Sequence, residues 1–315
     1  MSISNAIIAL FCAGAVVTLI ASALIERAHP PRGRRLDIGG LRQHIVELGA
    51  GGDGRDDTPP IVLLHGAGSN LEDLRELGES LAAWHRVILV DRPGQGWSER
   101  RRRAGNTPTY QAAILRELLD RLGVARAILV GHSWGGALAV TFALDYPQAV
   151  AGILLLAPPT HPQLRSMTRL YAALSAPVAG WLLARTLVLP LAAIAFGSGL
   201  RAAYSPQVPP PHDIKHRAAF LLLRPATFLA NAQDIAGLHD FLTRQAARYG
   251  ELKVPTIIVA GDRDRVVPLH QHAMPFAAAA PGAKLIVLEG VGHMPHHAAP
   301  DRIVELIEEL SSKSE

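Results

Sequence analysis

The first pattern in the chain is an unbroken apolar one. From Ile3 to Ile25 no charged residue occurs, and Ala, Ile, Leu and Val dominate. At roughly 1.5 Å per residue such a segment forms a helix of about 34 Å, long enough to cross the hydrocarbon core of a bilayer. No Lys or Arg precedes the run and no clear Ala-x-Ala site follows it, so residues 3–25 are expected to be a retained membrane anchor rather than a cleaved leader. Arg27, Arg32, Arg34 and Arg35 all follow the run. By the positive-inside rule this puts the body of the protein on the cytoplasmic side.

Beyond the Pro30-Pro31 linker the pattern shortens. The alternation in Leu41–Leu48 predicts an antiparallel edge strand, Asp53–Pro60 a turn, and the wholly apolar Ile61–Leu64 a strand buried on both faces. Helical spacing over Leu71–Trp84, Tyr110–Leu122 and Gly136–Tyr146 alternates with strand-like runs at Val87–Val90, Ile128–Val130 and Ile153–Leu156. After Pro158 the short strands cease and proline-broken helical segments continue to Gly250. Strands then resume at Thr256–Ala260 and Leu285–Leu288, before a closing helix over Asp301–Leu310.

This order predicts an α/β protein with a mostly parallel sheet and helices on both faces. Its expected organisation is an anchor and linker over 1–30, a core over 36–157 and 251–313, and a helical cap over 158–250 inserted after the strand at Ile153–Leu156. In such sheets polar residues collect outside the carboxyl ends of the strands, where the cap would shape a pocket. The stretch Leu174–Phe196 is very apolar but is interrupted by Pro177, Arg185 and Pro190. It is expected to be cap core, an apolar substrate pocket or a membrane-touching lid rather than a second span.

Composition adds exclusions. The 315 residues are 49% hydrophobic and 18% charged, which suits one large domain with an insertion. The net charge of +4 is modest and four arginines fall in one run, Arg100–Arg103, which reads as a solvated loop. No nucleic-acid partner is expected. Cys12, the single cysteine, lies in the apolar segment, so neither an intramolecular disulfide nor a Cys-based metal site is available. The fourteen histidines show no metal-ligand spacing. No metal and no cofactor is expected.

The chemistry centres on Ile128-Leu129-Val130-Gly131-His132-Ser133-Trp134-Gly135-Gly136-Ala137, an apolar run that ends in G-x-S-x-G and continues into helical sequence. A strand, a sharp turn and a helix raise Ser133 above the sheet. Gly131 and Gly135 are required because the strand and helix backbones come too close for a Cβ. A serine nucleophile needs a base, and the base an orienting acid. Both types lie in the loops after later strands: Gly261-Asp262-Arg263-Asp264-Arg265-Val266-Val267-Pro268 and Glu289-Gly290-Val291-Gly292-His293-Met294-Pro295. On the residues alone Asp262 rivals Asp264 as the acid, and His296 and His297 stand close to His293.

With His65-Gly66-Ala67-Gly68 and Asp91-Arg92-Pro93-Gly94-Gln95-Gly96-Trp97-Ser98 ahead of these motifs, the chain from about Leu36 to Leu310 resembles the α/β-hydrolase family. The resemblance implies Ser133 as nucleophile, His293 as base and then acid, and Asp264 as the residue that orients the imidazole. It also implies an oxyanion hole from the backbone N–H groups of Ala67 and Trp134. His65 would brace the oxyanion loop, Asp91 would fix the turn before Gly94, and His132 would be structural.

A serine at the elbow suits acyl transfer to water; relatives that open epoxides or displace halides carry an aspartate there. The expected function is a membrane-anchored serine hydrolase acting on a small apolar ester. Cofactor-free C–C hydrolysis and perhydrolase or haloperoxidase-like activity are the alternatives, and an idle binding module is a third. An aminopeptidase would need an acidic pair in the cap, and Asp213, Asp234 and Asp240 form no obvious one.

Overall fold

Alternate residues of Ile61–Leu64 face opposite layers: Val62 and Leu64 enter one hydrophobic core, Ile61 and Leu63 the other. That two-sided burial is why the central strands carry no polar residue. The computed structural model describes residues 2–49, 58–101, 105–162, 165–209 and 218–312. Among the described residues, eight strands form one sheet in the order β1-β2-β4-β3-β5-β6-β7-β8. They are β1 (Arg34–Ile38), β2 (Leu41–Leu48), β3 (Ile61–Leu64), β4 (Val87–Val90), β5 (Ala127–His132), β6 (Val150–Leu156), β7 (Thr256–Gly261) and β8 (Lys284–Leu288). From β4 to β8 all pairings are parallel, while β1–β2 and β2–β4 are antiparallel.

Leu41–Leu48 is therefore not the edge. β1 lies outside it, with Arg34 opposite Ile45 and Ile38 opposite Leu41. Arg34, Arg35 and Asp37 are exposed, so this strand shows little apolar alternation. Charges on an edge strand blunt its open hydrogen-bonding side. Most of the turn expected over Asp53–Pro60 lies outside the described residues, as do Arg102, Arg103 and Asp213.

Helices α3 (Pro108–Arg121) and α4 (Trp134–Asp145) cover one face of the sheet. The other is covered by α2 (Arg75–Leu81) and by the last helix, over Pro300–Ser312. The helix expected over Leu71–Trp84 is split. A 3-10 turn at Leu71–Leu74, capped by Asn70, precedes α2, and the chain leaves the helix after Leu81.

Between β6 and β7 the regular elements among the described residues are helical: α5 (Arg165–Leu174), α6 (Ala179–Thr186), α7 (Val188–Tyr204) and α8 (Pro225–Gln245), with 3-10 turns. Pro225 opens α8 at a position where its missing N–H costs nothing. The apolar residues of Leu174–Phe196 do not form an enclosed pocket: Val178 is 78% exposed, Ile194 84% and Leu191 61%.

The N-terminal helix α1 (Ile3–Ala28) is the one described helix long and apolar enough to cross a membrane by itself. Together, α6 and α7, bent by 70° at their junction, are also long and apolar enough. Pro30-Pro31 separates α1 from β1 along the chain, and α1 lies on α6. Gly14 meets the Thr186 backbone, where a Cβ would fall 2.4 Å from the carbonyl oxygen, and Thr18 donates to that same oxygen. Lower down, Arg224 pairs with Glu26 at 3.2 Å and the Trp97 indole donates to the His29 carbonyl.

Candidate active site

Ser133 stands between β5 and α4 at φ 50° and ψ −120°, a conformation that costs a non-glycine residue about 1–3 kcal/mol. The crossing of strand and helix imposes it. A Cβ on Gly131 would lie 2.4 Å from the Gly135 carbonyl oxygen, and one on Gly135 would lie 2.2 Å from that of Leu64. The Ser133 N–H donates to the Leu156 carbonyl, and its neighbours in the elbow are buried while Ser133 itself is partly open.

Two loops, from the carboxyl ends of β7 and β8, complete the chain that begins at this serine. His293 Nε2 lies 3.0 Å from Ser133 Oγ. Its Nδ1 lies 2.8 Å from Asp264 Oδ2. The other carboxylate oxygen of Asp264 accepts from the N–H groups of Val266 and Val267, both at 2.8 Å, and the carboxylate is fully buried. Asp262 faces elsewhere: its Oδ1 accepts from the Gly290 N–H at 2.7 Å and pins the turn after β8. A chain of this form can move a proton from the serine hydroxyl to the imidazole while the carboxylate holds the ring.

The loop after β3 lies against the elbow, and a Cβ on Gly66 would come within 3.1 Å of that of Ser133. Ala67 follows Gly66, and Trp134 begins α4, so both expected oxyanion N–H groups belong to segments bordering Ser133. His65 ties this loop down. Its Nδ1–H donates to the Gly66 carbonyl and its Nε2 accepts from the Arg92 N–H, an arrangement that needs the neutral ring. Burial, with help from Arg92, pushes the His65 pKa down to about 4.

Arg92 and Asp234 are functional-site residues that the sequence reading did not assign. The Arg92 guanidinium is fully buried, donates to the carbonyls of His65 and Gly66, pairs with Asp234 at 3.0 Å and stacks on the Trp134 ring at 4.1 Å. Asp234, on α8, also takes Arg100 and accepts from Gln95 and Gln111, while its carbonyl accepts from the Trp134 indole. One inserted helix is thus fastened to the floor of the site. Asn231 on the same helix accepts from the Gly68 N–H. Asp91 binds the N–H groups of Leu71 and Trp97 and the His44 ring, which makes it the pin of its turn. Asp234 and exposed Asp240 form no acidic pair of the aminopeptidase kind.

Behind His293 lies a second polar cluster. The His132 Nε2 is 3.0 Å from the His293 carbonyl oxygen, and Asp73 stands 3.8 Å from His132, 3.6 Å from His296 and 3.1 Å from His297. Burial would raise the Asp73 pKa, but hydrogen bonds with His296 and His297 outweigh it and hold the carboxyl well below the usual range. The donor atoms of Asp73, His296 and His297 lie within 4.8 Å of one another, so the fold assembles a metal-ligand composition that sequence spacing did not reveal.

Residues 61–306 match the model of the alpha/beta hydrolase family. The chain belongs to that family. An uncharacterized protein of Mycobacterium tuberculosis is 30% identical over 293 residues, covering 91% of this chain and 83% of its own. The 2-hydroxy-6-oxo-6-phenylhexa-2,4-dienoate hydrolase of Burkholderia cepacia is 28% identical over 272 residues, covering 81% of this chain and 86% of its own. Among solved structures, an epoxide hydrolase, CorEH, superimposes with a TM-score of 0.73 at 23% identity, covering 88% of this chain and 97% of that one. The last shows the alpha/beta hydrolase fold and nothing finer. At the elbow this hydrolase family member carries serine.

Proposed function

We propose that this alpha/beta hydrolase is a serine hydrolase tethered to a membrane by α1, which cleaves an apolar carboxylic ester through an acyl-enzyme on Ser133. The observation that carries the reading is the hydrogen-bonded chain Ser133–His293–Asp264, with contacts of 3.0 and 2.8 Å. His293 Nε2 takes the Oγ proton as Oγ attacks the ester carbon. The carbonyl oxygen becomes an oxyanion facing the N–H groups of Ala67 and Trp134, which stabilise it more than they stabilise the neutral ester. His293 then returns the proton to the departing alcohol. Water repeats the cycle on the acyl-enzyme, releases the acid and restores Ser133.

The tether is supported by the length and hydropathy of α1 and by its docking on α6, contacts that a cleaved leader would leave uncovered. The exposed apolar side chains of α6 and α7 beside it favour substrates drawn from a lipid phase. The cytoplasmic orientation rests on the basic residues after α1.

C–C bond hydrolysis is the second reading, favoured by the likeness to the Burkholderia cepacia dienoate hydrolase. Such a substrate brings a carboxylate. Against it, Arg92, the buried cation that clamps the oxyanion loop, is already occupied by Asp234, Gln111 and two carbonyls. Assay of p-nitrophenyl esters of graded chain length beside a vinylogous diketone divides the two readings. Ester turnover that exceeds diketone cleavage by orders of magnitude supports the esterase, and the reverse ranking supports C–C hydrolysis.

A further inference from the structure

α1 does not seal the seam between itself and the body of the protein. From its contact with α6 toward its carboxyl end, a cleft of about 1050 Å³ opens between α1, the turn before α6, the start of α8 and the loop after β4. None of Ser133, Asp264 or His293 lines it. Its two ends differ in chemistry. One carries the apolar faces of Leu19 of α1 and Trp181 of α6, which are 73% and 41% exposed and so open the cleft outward, with Arg185 over the Trp181 ring at 4.4 Å. The other carries Arg35 and Arg101 beside the Arg224–Glu26 pair and the Trp97 ring.

Charge in the cleft is unbalanced. Among the described residues, five arginines line it (Arg35, Arg100, Arg101, Arg185 and Arg224) against two carboxylates, Glu26 and Glu99. Glu99 is held by Arg42 from outside, and Glu26 by Arg224. Arg100 pairs with Asp234. Arg35 and Arg101 are exposed and neither forms an ion pair with a described residue, although Arg101 Nη2 donates to the Gly39 carbonyl at 3.4 Å. Arg35 instead stacks on Trp97, its guanidinium carbon 4.9 Å from the ring centre, which holds the cation at the mouth of the cleft. Between the two ends, the buried Ser22 Oγ lines the cleft with no hydrogen-bond partner among the described residues.

We propose that this cleft binds an anionic amphiphile, with its oxyanion head on Arg35 and Arg101 and its alkyl chain between Leu19 and Trp181. From Leu19 to Glu26 is seven residues of helix, about 10 Å, the distance from a head group to the upper part of an acyl chain. The basic end coincides with the carboxyl end of α1, where the head-group layer lies when α1 is inserted and where Lys and Arg draw anionic lipid. An oxyanion with an alkyl chain comes either from a membrane phospholipid or from a free fatty acid. The site goes beyond the ester-cleaving reading: it is built from other residues and needs no turnover.

Tryptophan quenching reads the cleft directly, because Trp97 and Trp181 both line it. The full-length Ser133→Ala protein in a maltoside detergent is titrated with dibrominated stearate, dibrominated phosphatidylglycerol and the matching phosphatidylcholine. Saturable quenching by stearate or phosphatidylglycerol, exceeding that by phosphatidylcholine, is expected. In Arg35→Gln/Arg101→Gln the apparent Kd for the anionic quencher rises about tenfold or more. Arg35→Lys/Arg101→Lys restores it. Both arginines are exposed and outside the Ser133 site, so the same substitutions in the Ser133 enzyme leave short-ester hydrolysis at the parental rate. Quenching by stearate alone makes the ligand a free carboxylate, whereas quenching by phosphatidylglycerol makes it a membrane lipid. Equal quenching by phosphatidylcholine, no quenching by any of the three, or an anionic Kd unmoved by the glutamine pair overturns the proposal.

Discussion

Asp262 and Asp264 stand two residues apart after the same strand and face different loops: Asp264 Oδ2 lies 2.8 Å from His293 Nδ1, while Asp262 Oδ1 binds the Gly290 N–H at 2.7 Å. The sharp turn after β7 divides them. Asp264→Asn removes the acceptor that keeps the imidazole proton on Nδ1, and kcat falls by about a thousandfold or more. Asp262→Asn loosens a surface turn and leaves kcat within about threefold of the parent. Steady-state kinetics on a p-nitrophenyl ester checks the ranking, and the opposite order makes Asp262 the acid.

Asp234 is the carboxylate that allows Arg92 and Arg100 to remain buried between core and inserted helix. Asp234→Asn leaves those charges uncompensated and lowers the unfolding free energy by about 3–5 kcal/mol. It also frees the guanidinium that holds the carbonyls of His65 and Gly66, so activity falls even at temperatures where the variant stays folded. Denaturant unfolding with parallel kinetics measures both effects. Parental stability in the variant refutes this role for the pair.

Removal of residues 1–28 exposes the surface of α6 on which Gly14 and Thr18 rest. The shortened protein is expected to need detergent or to aggregate, and to melt at a lower temperature than the full chain in the same detergent. Size-exclusion chromatography and thermal unfolding test this. A monodisperse, detergent-free protein with the parental Tm contradicts the docking.

Two buried histidines make stability depend on pH. Burial pushes His65 and His272 down from 6.5 to about 4, and each accepts backbone N–H bonds through a ring nitrogen that must be unprotonated. Between these values the unfolded chain binds protons that the folded one does not, so stability is full above about pH 6.5 and declines as pH falls toward 4. Each residue contributes about 3 kcal/mol across the whole interval. A Tm that drops by several degrees between pH 7 and pH 5 is expected, and a flat profile would refute the buried neutral state.

The parts of the site that could be read in the sequence are those whose geometry is local. Ser133 with its flanking glycines, the oxyanion loop after β3 and the loops after β7 and β8 each follow a strand whose apolar run announces where the chain emerges. Arg92 and Asp234 were missed because they are 142 positions apart and each is ordinary in its own segment. The metal-like cluster was hidden in the same way, since Asp73 joins His296 and His297 only through folding. β1 was missed because an exposed edge strand carries charge rather than alternation. The docking of α1 on α6 rests on Gly14 and Thr18, whose purpose shows only once Thr186 lies against them.

The central claim is that Ser133 is the nucleophile. The most direct measurement is labelling of the full-length protein with a fluorophosphonate, followed by digestion and mass spectrometry of the elbow peptide. The expected result is stoichiometric phosphonylation of Ser133, lost in Ser133→Ala and slowed about a thousandfold or more in His293→Ala. Loss of esterase activity should run parallel to labelling. An elbow peptide that stays unmodified while esterase activity is abolished, or a Ser133→Ala protein that turns over within tenfold of the parent, would contradict the account.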